Sequence, residues 1–596
     1  MTVYPDSPVE SSPDSKYDDT SSTYDKERAS VDRPAAVPVQ GPLWKRILTG
    51  DAAEEYDTQR ALASRHIVMI AIGGTIGTGI FLSAGSAVSV AGPGSALLSY
   101  LVVGLFCYAV VVALGEMAAY IPVSGAFSVF ATRFVSPAMG FTLASELTAA
   151  SIILQYWTTR LQTWEWALVI IIPIFALQLV HVRVYGESEY WFALIKVLMV
   201  IVFIIVGLIY DWGGVKGHPG PGLSNWRDDQ AFVGGFSAFA QTFVFAFYSY
   251  GGVELVTLAA GESARPHKTV PRAVRATFLR VVLFYLFTML TIGLCINRAD
   301  PTLLNAAWST SPVRSLCTPV SKNVLFPLPR CGLTDSDVAA SPITVVFQRA
   351  GFGAAVHVVN AVLLTAVLSA TNSCFFASSR MLLALARGGH APRIFGWVNK
   401  RGVPVPALVM ALLVSFLTFL TSIWGNGVVF MWLLNLTGIS ALLVWGSIGF
   451  VSLRFRAAWR AQGRSADDLP YAQPLYPVLP VTVLVIAGLL FIGQGYAAVK
   501  QQPTSAINVV AAYIGVALYL VLYIGYAVYE RLVVRRPYHF VPLAIVDLDT
   551  DAVWRPGEGQ LIREREREAM RRQEEAEGTH GLRHWVRRIR AHMDYI

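Results

Sequence analysis

Hydrophobic residues along the chain are grouped into long blocks that are separated by shorter polar segments. Most blocks hold about 20 residues, which is the length that an α-helix needs to cross the hydrocarbon core of a bilayer. They lack the two-residue alternation that is typical of β-barrel strands. We therefore predict an all-α polytopic membrane protein with about twelve transmembrane helices. The predicted spans are residues 66–89, 94–119, 138–157, 164–182, 190–210, 232–260, 276–297, 343–368, 405–423, 428–452, 478–498 and 509–529.

The first and the sixth of these spans are interrupted by glycines. The first contains GGTIGTG at Gly73–Gly79, and the sixth contains AFYSYGGVEL at Ala246–Leu255. A break in a membrane helix leaves backbone groups without partners, unless protein, water or a substrate satisfies them. Interrupted helices at matching positions of two halves are typical of transporters that are built from inverted repeats. The alternative is that these glycines only allow neighbouring helices to pack closely.

The composition supports a membrane protein and excludes other classes. Of the 596 residues, 54% are hydrophobic and 14% are charged, and the mean hydropathy is +0.51. A soluble chain of this length needs more charge to cover its surface. The net charge of +8 does not indicate nucleic acid binding, because much of it lies beside apolar blocks, as in cytoplasmic loops that face anionic lipid. The distribution of basic loops places both termini in the cytoplasm.

Polar segments flank the apolar part of the chain and suggest three regions. Residues 1–64 are rich in Ser, Asp and Pro and are predicted to be a disordered cytoplasmic tail. Residues 65–530 contain the predicted membrane domain. Residues 531–596 are predicted to be a cytoplasmic tail with a helix in which Glu and Arg alternate at helical spacing.

The sequence shows no pattern that is typical of an enzyme, a metal site or a cofactor site. No Cys and His residues have the spacing of metal ligands. The glycines of the first span lack the G-x-G-x-x-G order and the βαβ context of a dinucleotide site. Cys317 and Cys331 share one polar loop and can form a disulfide if that loop is extracytoplasmic.

Two broken helices have a chemistry that suits one class of small molecule. The half-helix N-terminus offers free N–H groups and a positive dipole end, which favour a carboxylate. The facing carbonyl end favours an ammonium group or another cation. An amino acid zwitterion carries both groups on one carbon atom. We therefore expect an amino acid between the two breaks.

Several motifs occur together and in a specific order. They are RHIVMIAIGGTIGTGIF (Arg65–Phe81), ALGEMAAYIPVSGAF (Ala113–Phe127), YSYGGVELVTLAAGE (Tyr248–Glu262) and GVPVPAL (Gly402–Leu408). The chain from about Leu62 to Trp554 resembles fungal amino acid permeases of the amino acid–polyamine–organocation superfamily. The resemblance implies a LeuT-like fold of 5+5 inverted repeats with broken helices 1 and 6. It also implies proton-coupled uptake and a location in the plasma membrane.

The resemblance further implies a substrate site at the two breaks. The positions that match the carboxylate-binding stretch are Thr75, Ile76, Gly77, Thr78 and Gly79. The positions that match the stretch binding the amino group are Tyr248, Ser249, Tyr250 and Gly251. Tyr248 falls where related transporters place an aromatic gate. For Tyr248 and Tyr250, ordinary aromatic packing is the alternative.

Four charged residues lie inside predicted spans, namely Glu116, Glu146, Lys196 and Glu254. Each costs roughly 3 kcal/mol at the bilayer centre if it has no partner, so we expect them to line a wet cavity, to pair or to carry protons. Lys196 matches a lysine that takes the place of a sodium ion in related proton-coupled carriers, although it can also extend to the interface. We expect Lys196 and Glu254 to couple transport to protons. Glu146 and Glu116 are weaker candidates, and Glu116 lies near a helix end where it can be solvated.

The third predicted span departs from the family pattern. SPAMGFTLASELTAASIILQYW (Ser136–Trp157) lacks roughly a dozen residues that family members carry between its two ends. We predict a proton-coupled L-amino acid transporter that works by alternating access. The alternatives are a non-transporting amino acid sensor with the same fold, or an inactive product of a wrongly predicted gene structure with a shortened third helix. The expected partners are the amino acid, protons, the bilayer and ubiquitin ligase adaptors that act on lysines such as Lys16, Lys26 and Lys45.

Overall fold

The structure of the protein is a computed structural model. It describes residues 58–74, 76, 79–142, 163–215, 219–227, 229–300, 341–352, 355–416, 426–500 and 506–562, with isolated positions 564, 565, 568 and 572. Within these ranges the regular structure is helical, and the one β-bridge joins Leu62 to Ser263. The expectations for nine residues lie outside the described residues, namely those for Thr75, Gly77, Thr78, Glu146, Cys317, Cys331, Lys16, Lys26 and Lys45.

The helices follow one another through the membrane domain. In its first half they are α1 (Ser64–Met69), α2 (Ala84–Tyr120), α3 (Ala126–Phe134), α4 (Thr163–Gln178), α5 (Val182–Asp211), α6 (Gly235–Tyr250), α7 (Leu255–Ala260), α8 (Pro266–Arg280) and α9 (Phe287–Cys295). In its second half they are α10 (Pro342–Arg349), α11 (Ala355–Arg387), α12 (Val405–Ser415), α13 (Asn426–Ala461), α14 (Val478–Lys500) and α15 (Ala506–Tyr529).

Eight helical stretches in the described residues are long and apolar enough to cross a membrane. They include two composite stretches, α6 with α7 and α8 with α9. The third predicted span lies outside the described residues from residue 143 onward, and the ninth does so from residue 417. The surface also suits lipid. Leu198, Val202, Ile205 and Ile209 of α5 recur at helical spacing and are all about half exposed.

The turn between the first two predicted spans is a sharp kink inside α2. Gly92 has a positive φ of 84°, and Pro93 follows it. A Cβ atom at Gly92 would lie 2.5 Å from the carbonyl oxygen of Gln230. The backbone N–H of Gly94 donates to the carbonyl oxygen of Ala231 at 2.9 Å. The glycines at this turn therefore allow α2 to pack directly against the chain that leads into α6.

The eighth predicted span, residues 343–368, is placed incorrectly. The structure has the short helix α10, a turn, and then α11, which runs on to Arg387. The cause is the polar stretch that follows residue 368, where Ser369, Thr371 and Asn372 interrupt the apolar pattern. All three side chains are buried, and those of Ser369 and Asn372 are hydrogen-bonded inside the protein, so the polar stretch does not end the helix.

The first part of the predicted C-terminal tail is packed against the membrane domain. The backbone N–H of Val553 donates to the carbonyl oxygen of Tyr120, at the end of α2, at 2.8 Å. Arg464, which follows α13, forms a bidentate ion pair with Asp549, with N–O distances of 2.7 and 2.8 Å. We call residues 540–560 the C-terminal strap. It connects the ends of α2 and α13.

Candidate functional site

The sixth predicted span is interrupted where its glycines occur. Helix α6 ends at Tyr250 and helix α7 begins at Leu255. Gly251 has an extended ψ of 146°, and Gly252 has a positive φ of 86°, which glycine adopts without steric cost. The interruption predicted from the glycine pair is therefore present.

The first predicted span is interrupted as well. Two π-helical turns cover Ile70–Gly74 and Gly79–Ser83, and Ile76 between them belongs to neither. Of the five predicted carboxylate-binding residues, Ile76 and Gly79 are described, and both are buried. Thr75, Gly77 and Thr78 lie outside the described residues.

The two interruptions contact each other directly. A Cβ atom added to Gly79 would lie 2.4 Å from the Cα atom of Ser249. The hydroxyl group of Ser83 lies 3.1 Å from that of Ser249 and donates to the carbonyl oxygen of Gly79 at 2.7 Å. The stretches that the sequence assigned to the carboxylate and to the amino group therefore meet at one place.

Three buried tyrosines surround Ser249. The hydroxyl groups of Tyr100 and Ser249 lie 2.7 Å apart, and the hydroxyl of Tyr285 donates to the carbonyl oxygen of Ser249 at 2.8 Å. Tyr250 donates to the carbonyl oxygen of Tyr100 at 3.1 Å and stacks on Tyr285 with ring centroids 4.0 Å apart. Tyr250 is therefore packed in the aromatic core and Tyr248 is partly buried against it, while a part of either in substrate binding stays a prediction. Tyr100 and Tyr285 were missed because a lone tyrosine in an apolar block gives no signal.

Lys196 is fully buried and does not extend to the interface. Its ammonium group donates to the carbonyl oxygen of Ile76 and to the hydroxyl of Ser369, both at 2.8 Å. The hydroxyl of Ser369 in turn donates to a carboxylate oxygen of Glu189 at 2.7 Å. Lys196 therefore joins the break in the first span to α11 and, through Ser369, to the carboxylate of Glu189.

Glu189 is a buried part of this network that the sequence interpretation missed. Its other oxygen accepts a hydrogen bond from the amide of Asn372 at 2.8 Å. The amide of Gln178, at the end of α4, donates to the side chain of Asn372 at 2.8 Å. The predicted span began at residue 190, one position too late to include Glu189. Its seven-residue spacing from Lys196, two helical turns, is the signal that was available.

Glu254 lies in the interruption itself, immediately before α7, and is buried. The indole N–H of Trp445 in α13 approaches one of its carboxylate oxygens at 3.3 Å. Within the described part of the chain it forms no ion pair. Glu254 is therefore a carboxylate beside the proposed position of the amino group, and the charge of Arg280 influences it without a direct ion pair.

Glu116 is buried in an ion pair, so the expectation that it is solvated is wrong. The guanidinium group of Arg456 contacts both of its oxygens, at 2.6 Å and 3.0 Å. The backbone N–H of Gln473 donates to the same carboxylate at 2.8 Å. These contacts give Glu116 a structural role between the ends of α2 and α13, because its charge is already compensated.

The fold and the site together define a class of protein. A multi-pass helical protein with two interrupted membrane helices in contact, and with buried charges around the contact, has the features of a solute carrier. The chain belongs to the amino acid permease family, whose model matches residues 66–536. It is therefore related to transporters rather than to enzymes.

The chain is similar to permeases from bacteria and yeast over most of their length. It is 41% identical to the lysine-specific permease LysP of Escherichia coli over 481 residues, which are 78% of this chain and 93% of that one. It is 36% identical to the histidine permease HisP of Lactococcus lactis over 481 residues, 78% of this chain and 94% of that one. It is 35% identical to the general amino-acid permease GAP1 of Saccharomyces cerevisiae over 514 residues, covering 82% and 79%.

Proposed function

We propose that the protein takes up L-amino acids by proton-coupled alternating access, with a LeuT-like arrangement of about twelve helices. The observation that carries this proposal is the contact between the two interruptions at Gly79 and Ser249. It brings the start of the second half of the first span against the end of α6, and half-helix ends of these two kinds can hold the carboxylate and ammonium groups of one zwitterion. The names of the relatives, which are permeases, favour a transporter over a sensor.

Proton coupling is supported by the position of Lys196. Its ammonium group holds the carbonyl oxygen of Ile76, and Ser369 connects it to Glu189 by hydrogen bonds. Loss of the proton from Lys196 would remove its positive charge from the break in the first span. We propose that this loss releases the cytoplasmic half of that helix, and that Glu254 responds to protons at the other break.

The substrate class proposed here is amino acids with basic side chains. Two relatives are named for lysine and histidine. The carboxylate of Glu254 is buried at the interruption without an ion-pair partner among the described residues, so it can compensate a positive group on the substrate.

The direct test is uptake of radiolabelled lysine in a cell that lacks its own amino acid permeases. We expect uptake that rises as the external pH falls, that does not need Na⁺, and that unlabelled histidine or arginine inhibits more than glutamate does. Lys196→Met should abolish uptake. Lys500→Met, which changes an exposed lysine at the end of α14, should leave it intact. Uptake that requires Na⁺ and ignores pH contradicts the coupling, whereas inhibition by glutamate alone contradicts the substrate class.

The same experiment separates the remaining alternatives. An amino acid that stabilises the purified protein against heat without being taken up would indicate a sensor. Neither stabilisation nor uptake would indicate that the short third span makes the protein inactive. We further propose a plasma membrane location with both tails in the cytoplasm, where ubiquitin ligase adaptors can reach Lys16, Lys26 and Lys45. Surface labelling of tagged termini in intact and permeabilised cells tests this placement.

A further inference from the structure

Arg280, the last residue of α8, is a buried cation that the proposed mechanism does not use. Two other buried arginines have carboxylate partners, Arg380 with Glu262 and Arg456 with Glu116. Within the described residues Arg280 forms no direct ion pair, although its charge interacts with that of Glu254 at longer range, and its Nε atom has no hydrogen-bond partner. A buried charge without a direct counter-ion is unfavourable unless other polar groups compensate it.

The groups that compensate Arg280 are the ends of both interrupted helices. Its Nη2 atom donates to the hydroxyl oxygen of Tyr285 at 2.7 Å, and that hydroxyl donates to the carbonyl oxygen of Ser249 at 2.8 Å. Ser249 is the next-to-last residue of α6. The Nη1 atom of Arg280 lies 3.5 Å from the carbonyl oxygen of Ala71, which belongs to the last helical turn before the break in the first span.

These carbonyl groups are favourable neighbours for a cation. The last turn of a helix has carbonyl oxygens without intrahelical partners, and the helix dipole is negative there. One guanidinium group faces two such ends at once, one directly and one through Tyr285. Because Tyr285 accepts a hydrogen bond from a cation, its own hydroxyl becomes a stronger donor to Ser249.

We propose that Arg280 and Tyr285 are a positioning pair that holds the carbonyl ends of both interrupted helices in the geometry that binds the substrate. This inference rests on the proposed function, because the carbonyl end of α6 is where the amino group is expected to bind. The pair acts through the backbone of Ser249 and Ala71 and does not contact the substrate. It determines the apparent affinity rather than the amount of folded protein.

The most informative variant is Tyr285→Phe. The ring remains and keeps its stacking on Tyr250, so the variant should fold, but the link to Ser249 is lost. We expect the KM of uptake to rise about tenfold, because a tenfold change in affinity corresponds to the loss of one hydrogen bond that is strengthened by a neighbouring charge. The matched control is Tyr513→Phe, which removes a tyrosine hydrogen bond of 2.8 Å to the carbonyl oxygen of Phe491, between α14 and α15. It should leave KM unchanged.

Arg280 is tested in the same assay. Arg280→Gln should raise KM at least as much as Tyr285→Phe, and Arg280→Lys, which keeps the charge, should restore part of the loss. The double variant of Arg280→Gln with Tyr285→Phe should have about the KM of Arg280→Gln alone, because both changes break one chain of bonds.

The results distinguish this inference from the proposed function. If the unaltered protein takes up no amino acid, the proposed function fails. If it does, and Tyr285→Phe changes only the amount of protein at the surface while KM stays within a factor of about two, the pair has a purely structural role and the inference is wrong. Independent, multiplicative effects of the two substitutions on KM would also overturn it.

Discussion

Replacing Gly79 with alanine adds one methyl group at the contact between the two interruptions. The new Cβ atom would lie 2.4 Å from the Cα atom and 2.9 Å from the backbone nitrogen of Ser249. Ordinary contacts of this kind begin at 3.4 Å, so the two backbones must separate by about 1 Å. Both obstructing atoms belong to the main chain, so a change of side-chain rotamer cannot relieve the overlap.

The expected cost follows from that displacement. Adding a methyl group to a closely packed interior costs about 1–3 kcal/mol of stability. A shift of about 1 Å in a positioned site lowers rates roughly a hundredfold in enzymes, and we expect Vmax/KM for lysine uptake to fall by about 10- to 100-fold. We therefore expect transport to be lost while the protein still folds, because many other buried contacts around this one remain.

The measurement compares uptake per molecule at the cell surface with the thermal midpoint of the purified protein. Gly488→Ala is the matched control, since it also adds a methyl group to a glycine in a membrane helix but meets no atom within 4 Å. It should behave as the unaltered protein does. If Gly79→Ala transports lysine with a KM and Vmax within a factor of about two of the original values, the two breaks do not form the binding site.

Three further predictions concern stability. Glu116→Gln should lower the free energy of unfolding by about 3–5 kcal/mol, because Arg456 then remains buried without its carboxylate, and adding Arg456→Met should recover much of the loss in denaturation experiments. Burial and the charge of Arg536 lower the pKa of His390, which follows α11, to about 4. The neutral form of His390 contributes to stability above pH 6.5, and this contribution is lost as the pH falls toward 4. His390→Gln should therefore flatten the dependence of the thermal midpoint on pH between these values. Ending the chain after residue 540 should lower the thermal midpoint, whereas ending it after residue 572 should not, because only the first truncation removes the C-terminal strap.

The interruptions could be predicted from the sequence because glycine has a local physical meaning. Gly252 has a positive φ, and Gly79 allows two backbones to meet, so each glycine marks a place where a side chain is excluded. That Ile76 and Ser249 belong to one substrate site stays a prediction; the structure shows Ile76 hydrogen-bonded to Lys196 and Ser249 hydrogen-bonded to Ser83.

The rest could not be predicted because it depends on contacts between distant segments. Polar residues such as Ser369 reduced the hydropathy of α11, and only their buried partners show that the helix continues. Tyr285 lies only five residues from Arg280, but what the pair contacts is distant: Ala71 lies 209 residues before Arg280, and Ser249 lies 36 residues before Tyr285. The role of Glu116 likewise depends on Arg456, which is 340 residues away.

The C-terminal strap also changes how far the end of the chain can reach. The last candidate membrane span ends at Val534, but the strap returns the chain to the ends of α2 and α13. The chain that follows the strap therefore starts beside the ends of α2 and α13, and a reporter fused to the C-terminus is attached through that point. Distances between a label in the tail and the membrane domain should be interpreted with the contact at Val553 as the point of attachment, not the end of the final span.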